Sequence, residues 1–262
     1  MKTLGVLCHR AQLCVLLIVA ANAYSLGHEL AGGRFELNDS VFHYTLADRT
    51  VQAIETGENP MDYWVSEWTF GYSVPRTYPM HSHVALALLH MAMGKAVSVL
   101  TLFIWARYLL VALLPLTVYG SARLLMLPRP VAVASALVSP LIATNGLFGL
   151  EYGAYLWRGS GLFTQALAMH VLLVTVGYGF RAMRGLRGPV LVGVLLAFTF
   201  LAHFIYGFIG AISLVLLAFI PNTLPASKRF VRTAIAGFVS CAVAAVQLIP
   251  MLLDGPLINH SR

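Results

Sequence analysis

The segment that follows the first apolar run places an aspartate and a histidine on one turn of a predicted helix. Asn38-Asp39-Ser40 is typical of a helix start, residues 41–56 continue the helix, and Gly57 ends it. Asp39 and His43 are four residues apart and therefore share a face. An aspartate at the positive end of a helix can accept a proton from a hydroxyl group or coordinate a divalent cation. A helix cap is the simpler role for Asp39, and the two roles are compatible.

Aromatic side chains alternate with charged side chains between residues 62 and 78. The charged residues are Asp62, Glu67 and Arg76, and aromatic residues flank them. Aromatic rings beside carboxylates suit sugar binding, so Asp62 and Glu67 are candidate substrate-binding residues. The same pattern is typical of the aromatic belt at a membrane surface, and this alternative stays open.

Three further histidines are candidate ligands for a phosphate group. His81 and His83 open a short apolar helix, and His203 interrupts a longer apolar run. Together with Arg76, these side chains are expected at the level of lipid headgroups. They are therefore predicted to bind the phosphate of a membrane lipid, although a helix-breaking role alone would also explain His203.

A zinc site is a competing interpretation of the His-x-His pair, with His28 or His43 as the third ligand. It is disfavoured because His81 and His83, two residues apart on a helix, face in different directions. No cysteine pair supports such a site either. The identity of any metal therefore stays open.

The composition is that of a membrane protein. Of 262 residues, 59% are hydrophobic and 10% are charged, whereas an ordinary soluble domain has about 25% charged residues. So few charges cannot cover a soluble domain of this size, which excludes a soluble globular protein, a disordered chain and a coiled coil. Several apolar runs approach the roughly 20 residues that cross a bilayer as a helix.

The net charge of +7 reflects membrane orientation, not nucleic-acid binding. Eight of the ten acidic residues lie between residues 29 and 67. Basic residues cluster in short loops between apolar runs, at residues 123–129, 181–187 and 228–232. This is the positive-inside pattern of cytoplasmic loops, and it indicates that the bilayer is the chain's main partner.

The apolar runs predict one all-α polytopic membrane domain over residues 1–262, with about seven spans and a cytoplasmic N-terminus. Residues 27–80 form a long extracytoplasmic first loop that carries interfacial helices. Residues 189–221 lie between two basic clusters and are too long for one crossing, so they are expected to turn back at Ala202-His203-Phe204. The predicted crossings are residues 11–26, 98–125, 130–149, 162–180, the two halves of 189–221, and 233–253.

Two expectations concern the ends of the chain. The first apolar run is also compatible with a cleaved signal peptide. The chain stops in a loop soon after its last span, which indicates a truncated part of a longer protein. The expected location is a cell membrane of the bacterial inner-membrane type.

These motifs resemble the GT-C superfamily of polytopic membrane glycosyltransferases, which use polyprenyl-phosphate sugar donors. The resemblance rests on the acidic stretch 38–43, on residues 53–60, on Tyr78-Pro79 at the start of a helix, and on the hairpin broken at His203. The stretch 249–259 also looks like larger bacterial multi-spanning proteins labelled 6-pyruvoyl-tetrahydropterin synthase-related.

The resemblance implies transfer of a hexose or pentose from a lipid-linked donor to a glycan, lipid or protein acceptor on the extracytoplasmic face. Asp39 matches the family's first-loop acid, which acts as a base or metal ligand. The chain has no clear Asp-x-Asp pair there, so the need for a divalent cation stays open, and no other cofactor is implied.

The alternative is a non-catalytic membrane protein, either a transporter or an assembly factor for surface polysaccharide. A transporter should carry ionisable residues near the middle of the bilayer. Arg107 is the one charge well inside a predicted span, and His90 and His170 are the other candidates. Because the polar residues concentrate in the first loop, surface chemistry is favoured.

Overall fold

The computed structural model of the chain describes residues 2–30, 39–66, 71–141 and 162–254. Within these ranges every regular element is a helix, and the only β pairing is an isolated bridge between Val65 and Tyr72. The all-α prediction is therefore confirmed for the described residues. The α-helices are α1 (Lys2–Ser25), α2 (Asp39–Thr56), α3 (Val74–Thr77), α4 (His81–Ala92), α5 (Val99–Ala112), α6 (Leu114–Leu124), α7 (Arg129–Val138), α8 (Leu162–Met183), α9 (Pro189–Ala202), α10 (Phe204–Phe219) and α11 (Ala226–Asp254).

Two of the described helices, α8 and α11, are long and apolar enough to cross a membrane. The pair α5 and α6 meets the same test as one broken span, bent by 45°. The seven predicted crossings are therefore not confirmed, since length and composition support two spans, or three with the bent pair. The other apolar helices are shorter, at 10–17 residues: Arg10–Ser25, Arg129–Leu141, Pro189–Ala202 and Phe204–Phe219.

The bend between α5 and α6 has a local cause in Pro115. Proline has no backbone N–H and cannot donate to the carbonyl one turn before it, here that of Val111. The Asn22 side chain compensates from α1, since its Nδ2 lies 3.1 Å from the carbonyl oxygens of both Val111 and Ala112. A buried amide on the first helix thus satisfies the broken helix backbone.

His170 on α8 supports the same bend. Its Nε2 donates to the Leu110 carbonyl at 2.6 Å, and its Nδ1 then accepts from the Thr117 hydroxyl, also at 2.6 Å. Both ring nitrogens are used, which defines one neutral tautomer. His170 is therefore a packing residue that joins α8 to both halves of the bent pair.

The predicted turn at His203 is confirmed. α9 ends at Ala202, α10 begins at Phe204, and His203 between them is extended, with φ −159° and ψ 120°. Its backbone still bonds to both helices, because its N–H donates to Thr199 and its carbonyl accepts from Gly207, each at 3.0 Å. The two short helices therefore form a hairpin with a histidine at its tip.

One end of the helix bundle collects the basic residues, and we call it the basic end. Arg181 at the end of α8 donates to the carbonyl groups of Arg123 and Leu124 at the end of α6. Arg232 on α11 donates to the carbonyl of Arg187, just before α9, at 2.8 Å. The basic clusters that are separate in sequence thus meet in space, as the charge pattern predicts.

Residues 39–66 and 71–80 belong to the predicted first loop, and we call them the outer segment after that prediction. They form a packed layer and not a free loop. α2 packs against residues 61–66 and 71–80 through a cluster of side chains that are at most 2% exposed: Leu46, Ala53, Tyr63, Val65, Val74 and Met80. The Tyr63 hydroxyl bonds to the Thr50 hydroxyl at 2.7 Å within this layer. Burial raises the pKa of Tyr63 to about 12, so this phenol remains a neutral structural group.

Candidate functional site

Asp39 lies at the first residue of α2, as the sequence predicts. Its side chain is exposed, whereas His43 one turn later is 1% exposed. The helix ends at Thr56, and Gly57 follows with φ 76°, a left-handed conformation that suits glycine. α2 therefore presents a carboxylate to solvent at its positive end and a histidine to the interior.

His43 forms a buried pair with His83 from α4. Nδ1 of His43 lies 3.1 Å from Nε2 of His83, and the rings stack with centroids 5.3 Å apart at 25°. His83 is completely buried. One imidazole must donate the shared proton and the other must accept it, so the tautomers of the two rings are coupled.

Both histidines of this pair are held neutral. Burial, aided by electrostatic interaction with His203 and Arg107, lowers the pKa of His43 to about 3. Burial also lowers the pKa of His83, and a proton on His43 would lower it further. Neither ring then carries a charge near pH 7, so the pair contributes polar but uncharged groups to the cluster.

Tyr78 connects this pair to Asp39. Its ring contacts His43 with centroids 6.1 Å apart, and its hydroxyl lies 3.3 Å from that of Thr164 on α8. Burial raises the pKa of Tyr78, the hydrogen bond to Thr164 opposes that rise, and the negative charge of Asp39 adds to it. Asp39 is therefore within electrostatic range of the Tyr78 hydroxyl.

Arg107 and His203 complete the cluster, and Arg107 supplies its positive charge. Arg107 on α5 is 8% exposed, and its guanidinium lies 5.6 Å from the centre of the Phe103 ring. His203 packs edge-on against Tyr206 at 5.4 Å. Because Arg107 and His203 are both close enough to influence the pKa of His43, helices that are far apart in sequence converge here.

Three ring nitrogens in or close to this cluster are buried without a hydrogen-bond partner among the described residues. They are Nδ1 of His83, Nδ1 of His81 at the start of α4, and Nδ1 of His203. Burial also lowers the pKa of His81. A buried polar nitrogen without a partner is costly in free energy, so such atoms mark places where a ligand can bind.

Arg76 has a different setting from the one expected of a phosphate ligand. Its guanidinium bridges Asp62, at 3.0 Å from Nη1, and Asp254 at the end of α11, which accepts from Nη2 at 3.1 Å and from Nε. Gln247 on α11 donates to the Pro75 carbonyl at 2.9 Å. Arg76 and Asp62 thus belong to a clasp that ties the outer segment to the last helix.

Half of the eight predicted site residues share one cluster: Asp39, His43, His83 and His203. His81 begins the helix that carries His83, whereas Asp62 and Arg76 lie in the clasp. Glu67 lies outside the described residues, as does the side chain of His28. Residues 150–161, which connect the predicted crossings 130–149 and 162–180, also lie outside them.

The cluster also contains residues that the sequence did not place there. Arg107 is signalled only by the rarity of a charge inside a predicted span, and Tyr78 only by its position before a helix. Phe163 packs against both His43 and His83, with ring centroids 6.1 and 5.5 Å away. It lies some 80 residues after His83 in an apolar helix, where no sequence pattern distinguishes it.

No group of three side chains that could hold a metal ion occurs among the described residues. The disfavoured zinc site therefore gains no support in this part of the chain, since His83 faces His43 and not a shared centre with His81. A divalent cation at Asp39 stays a prediction.

Comparison of the chain with protein-family models, with curated proteins and with solved structures finds no match. The assignment of function therefore depends on the geometry of the cluster around Asp39.

Proposed function

We propose that the chain is a membrane glycosyltransferase, or part of one, which transfers a sugar from a polyprenyl-phosphate donor on the extracytoplasmic face. The observation that carries the proposal is the position of Asp39. An exposed carboxylate at a helix start adjoins a buried cluster in which two histidines are neutral and Arg107 provides positive charge. This separation of charge suits displacement of a phosphate by a hydroxyl group.

Asp39 acts as the general base in this proposal. Its carboxylate accepts the proton of an acceptor hydroxyl while that oxygen attacks the anomeric carbon of the donor. The bond between the anomeric carbon and the phosphate oxygen breaks, and its electron pair leaves with the polyprenyl phosphate. Attack from the face opposite the phosphate inverts the configuration at the anomeric carbon.

The leaving phosphate gains negative charge and needs positive charge or hydrogen-bond donors nearby. Arg107 can supply the positive charge and His203 a hydrogen-bond donor, since both lie close to His43. Nδ1 of His203 and Nδ1 of His81 are buried and lack a partner among the described residues, so each can bond to a phosphate oxygen. Arg76 is already bonded to Asp62 and Asp254 in the clasp, so in this proposal it holds the outer segment in place and does not bind the phosphate.

The seven-span arrangement is part of the proposal. The clasp to Asp254 and the hairpin tip at His203 lie with the outer segment, whereas the arginines of the interhelical loops meet at the basic end. Basic loops favour the cytoplasmic side. This separation supports a cell-membrane protein with a cytoplasmic N-terminus, in which the short apolar helices complete the crossings.

Transport and polysaccharide assembly are the alternative functions. His170, one candidate for a pore-facing group, uses both ring nitrogens in hydrogen bonds to α5 and α6. Its role as a structural residue favours surface chemistry over a path through the bundle. Uptake of a sugar into liposomes without any lipid-linked donor would support transport instead.

The test uses the purified protein in liposomes with polyprenyl-phosphate sugars and a panel of glycan and lipid acceptors. We expect transfer by the wild-type chain, loss of transfer in Asp39→Asn, and retention in Asp48→Asn, a matched change later in the same helix. Transfer that survives intact in Asp39→Asn, or absence of transfer with every donor, would contradict the proposal.

A further inference from the structure

A groove at the basic end has the composition of a lipid-binding site. It has a volume of about 370 Å³ and lies between Pro189 at the start of α9 and the first three turns of α11. Ser227, Lys228 and Arg232 provide its polar side chains, and Val231 and Ile235 provide apolar surface. These α11 residues share one face of the helix because they repeat at intervals of three and four residues.

The polar and apolar parts of the groove suit the two parts of a phospholipid. Val231 is 58% exposed and Ile235 is 39% exposed, although both are large hydrophobic side chains. Val231 lies between Lys228 and Arg232 along α11, and Ile235 follows one turn after Val231. An acyl chain on Val231 and Ile235 would therefore place its headgroup beside Lys228 and Arg232.

The start of α11 adds backbone donors to this site. The first amides of any helix have no acceptor within it, and the helix dipole makes this end positive. Arg229 is the first residue of α11 whose N–H bonds back along the chain, to the Pro225 carbonyl. The amides of Ser227 and Lys228 therefore lie beside the groove with their donors available to an anion.

No acidic side chain neutralises the basic end within the described residues. The ion pairs among the described residues all include a residue of the outer segment: Arg49–Glu58, Arg76–Asp62, Arg76–Asp254 and Lys95–Glu55. At the basic end, arginines donate to backbone carbonyls instead, as Arg232 does to that of Arg187. Such bonds leave the positive charge uncompensated.

We infer that this groove binds the headgroup of an anionic glycerophospholipid of the cytoplasmic leaflet. The phosphate lies between Lys228, Arg232 and the Ser227 hydroxyl, and an acyl chain lies along Val231 and Ile235. Basic pockets between membrane helices on the cytoplasmic side recognise anionic lipids in this way. The site lies at the opposite end of the bundle from Asp39 and does not depend on the proposed enzymatic activity.

The experiment measures lipid binding to the full chain in detergent by native mass spectrometry, with phosphatidylglycerol and phosphatidylcholine as probes. We expect the wild-type chain to bind phosphatidylglycerol at least threefold more tightly. Lys228→Gln/Arg232→Gln should abolish this preference. The control Arg129→Gln/Arg184→Gln removes two charges from the same end outside the groove and should retain the preference.

The proposal is overturned if the wild-type chain shows no preference, or if both double variants lose it equally, because the effect would then reflect overall charge. A parallel thermal-unfolding series adds inorganic phosphate in place of lipid. Stabilisation by phosphate that equals stabilisation by phosphatidylglycerol would also overturn it, since the groove would then hold a soluble anion. Lys228→Gln alone, which leaves the bond from Arg232 to Arg187 intact, should weaken lipid binding without loss of thermal stability.

Discussion

Nδ1 of His43 lies 3.1 Å from Nε2 of His83, and this contact joins α2 of the outer segment to α4. Both side chains are almost fully buried, and Phe163 from α8 packs against both rings. The pair therefore holds three helices at the place where Asp39, Tyr78, Arg107 and His203 meet. Protonation of the pair should therefore lower the stability of the whole cluster.

The first prediction is a loss of stability in mild acid. The pKa of His43 falls from 6.5 to about 3 on folding, so the unfolded chain binds a proton in this range and the folded chain does not. The contribution is fully present above pH 6.5 and is lost as the pH falls towards 3. Each such histidine contributes a slope of up to about 1.4 kcal/mol per pH unit.

Thermal unfolding of the purified protein between pH 7 and pH 4 measures this slope. His43→Leu/His83→Leu replaces both partners with apolar groups and should make the unfolding temperature less dependent on pH. Thr45→Ala, an uncharged change on the same helix, should keep the wild-type dependence. The same slope in the double variant as in the wild-type chain would show that folding does not lower the pKa of these two histidines, which would contradict this prediction.

The second prediction concerns the clasp between Arg76 and Asp254, which joins residues 178 positions apart in the chain. Arg76→Gln and Asp254→Asn should each lower the unfolding temperature, and the double variant should lower it by less than the sum, because both remove one interaction. Arg49→Gln breaks a pair within the outer segment and should be additive with Asp254→Asn. Additivity of Arg76→Gln with Asp254→Asn would contradict the clasp.

The third prediction concerns His170 beside the bent pair α5 and α6. His170→Leu leaves the Leu110 carbonyl and the Thr117 hydroxyl without their partner, which should cost about 1–3 kcal/mol. Unfolding by sodium dodecyl sulfate in mixed micelles measures the change. His170→Gln, whose amide can restore one hydrogen bond, should lose less. Equal stability of His170→Leu and the wild-type chain would refute this role.

Local signals in the sequence predicted the local structure well. The polar triplet at the start of α2 and Gly57 after its end define that helix, because capping residues and glycine act on neighbouring residues only. The break at His203 followed from an apolar run too long for one crossing between two basic clusters. The helix start and stop depend on neighbouring residues, and the break depends on the length and flanking charges of one continuous stretch of chain.

Features that depend on distant residues were not predictable in this way. Arg76 looks like a phosphate ligand in sequence, but its partner Asp254 comes from the other end of the chain. Phe163 and Thr164 enter the cluster from an apolar helix without any distinguishing pattern. The seven predicted spans are not confirmed, because helix length and composition support two or three, and hydropathy alone does not show where Pro115 or a turn shortens a helix.

The most direct test of the account separates donor binding from chemistry at Asp39. Single-turnover transfer from a polyprenyl-phosphate sugar is compared between the wild-type chain and Asp39→Asn, with donor affinity measured on the same samples. Loss of a general base should slow transfer by about 10²-fold or more, with donor affinity unchanged. A transfer rate in Asp39→Asn equal to that of the wild-type chain would contradict the central claim.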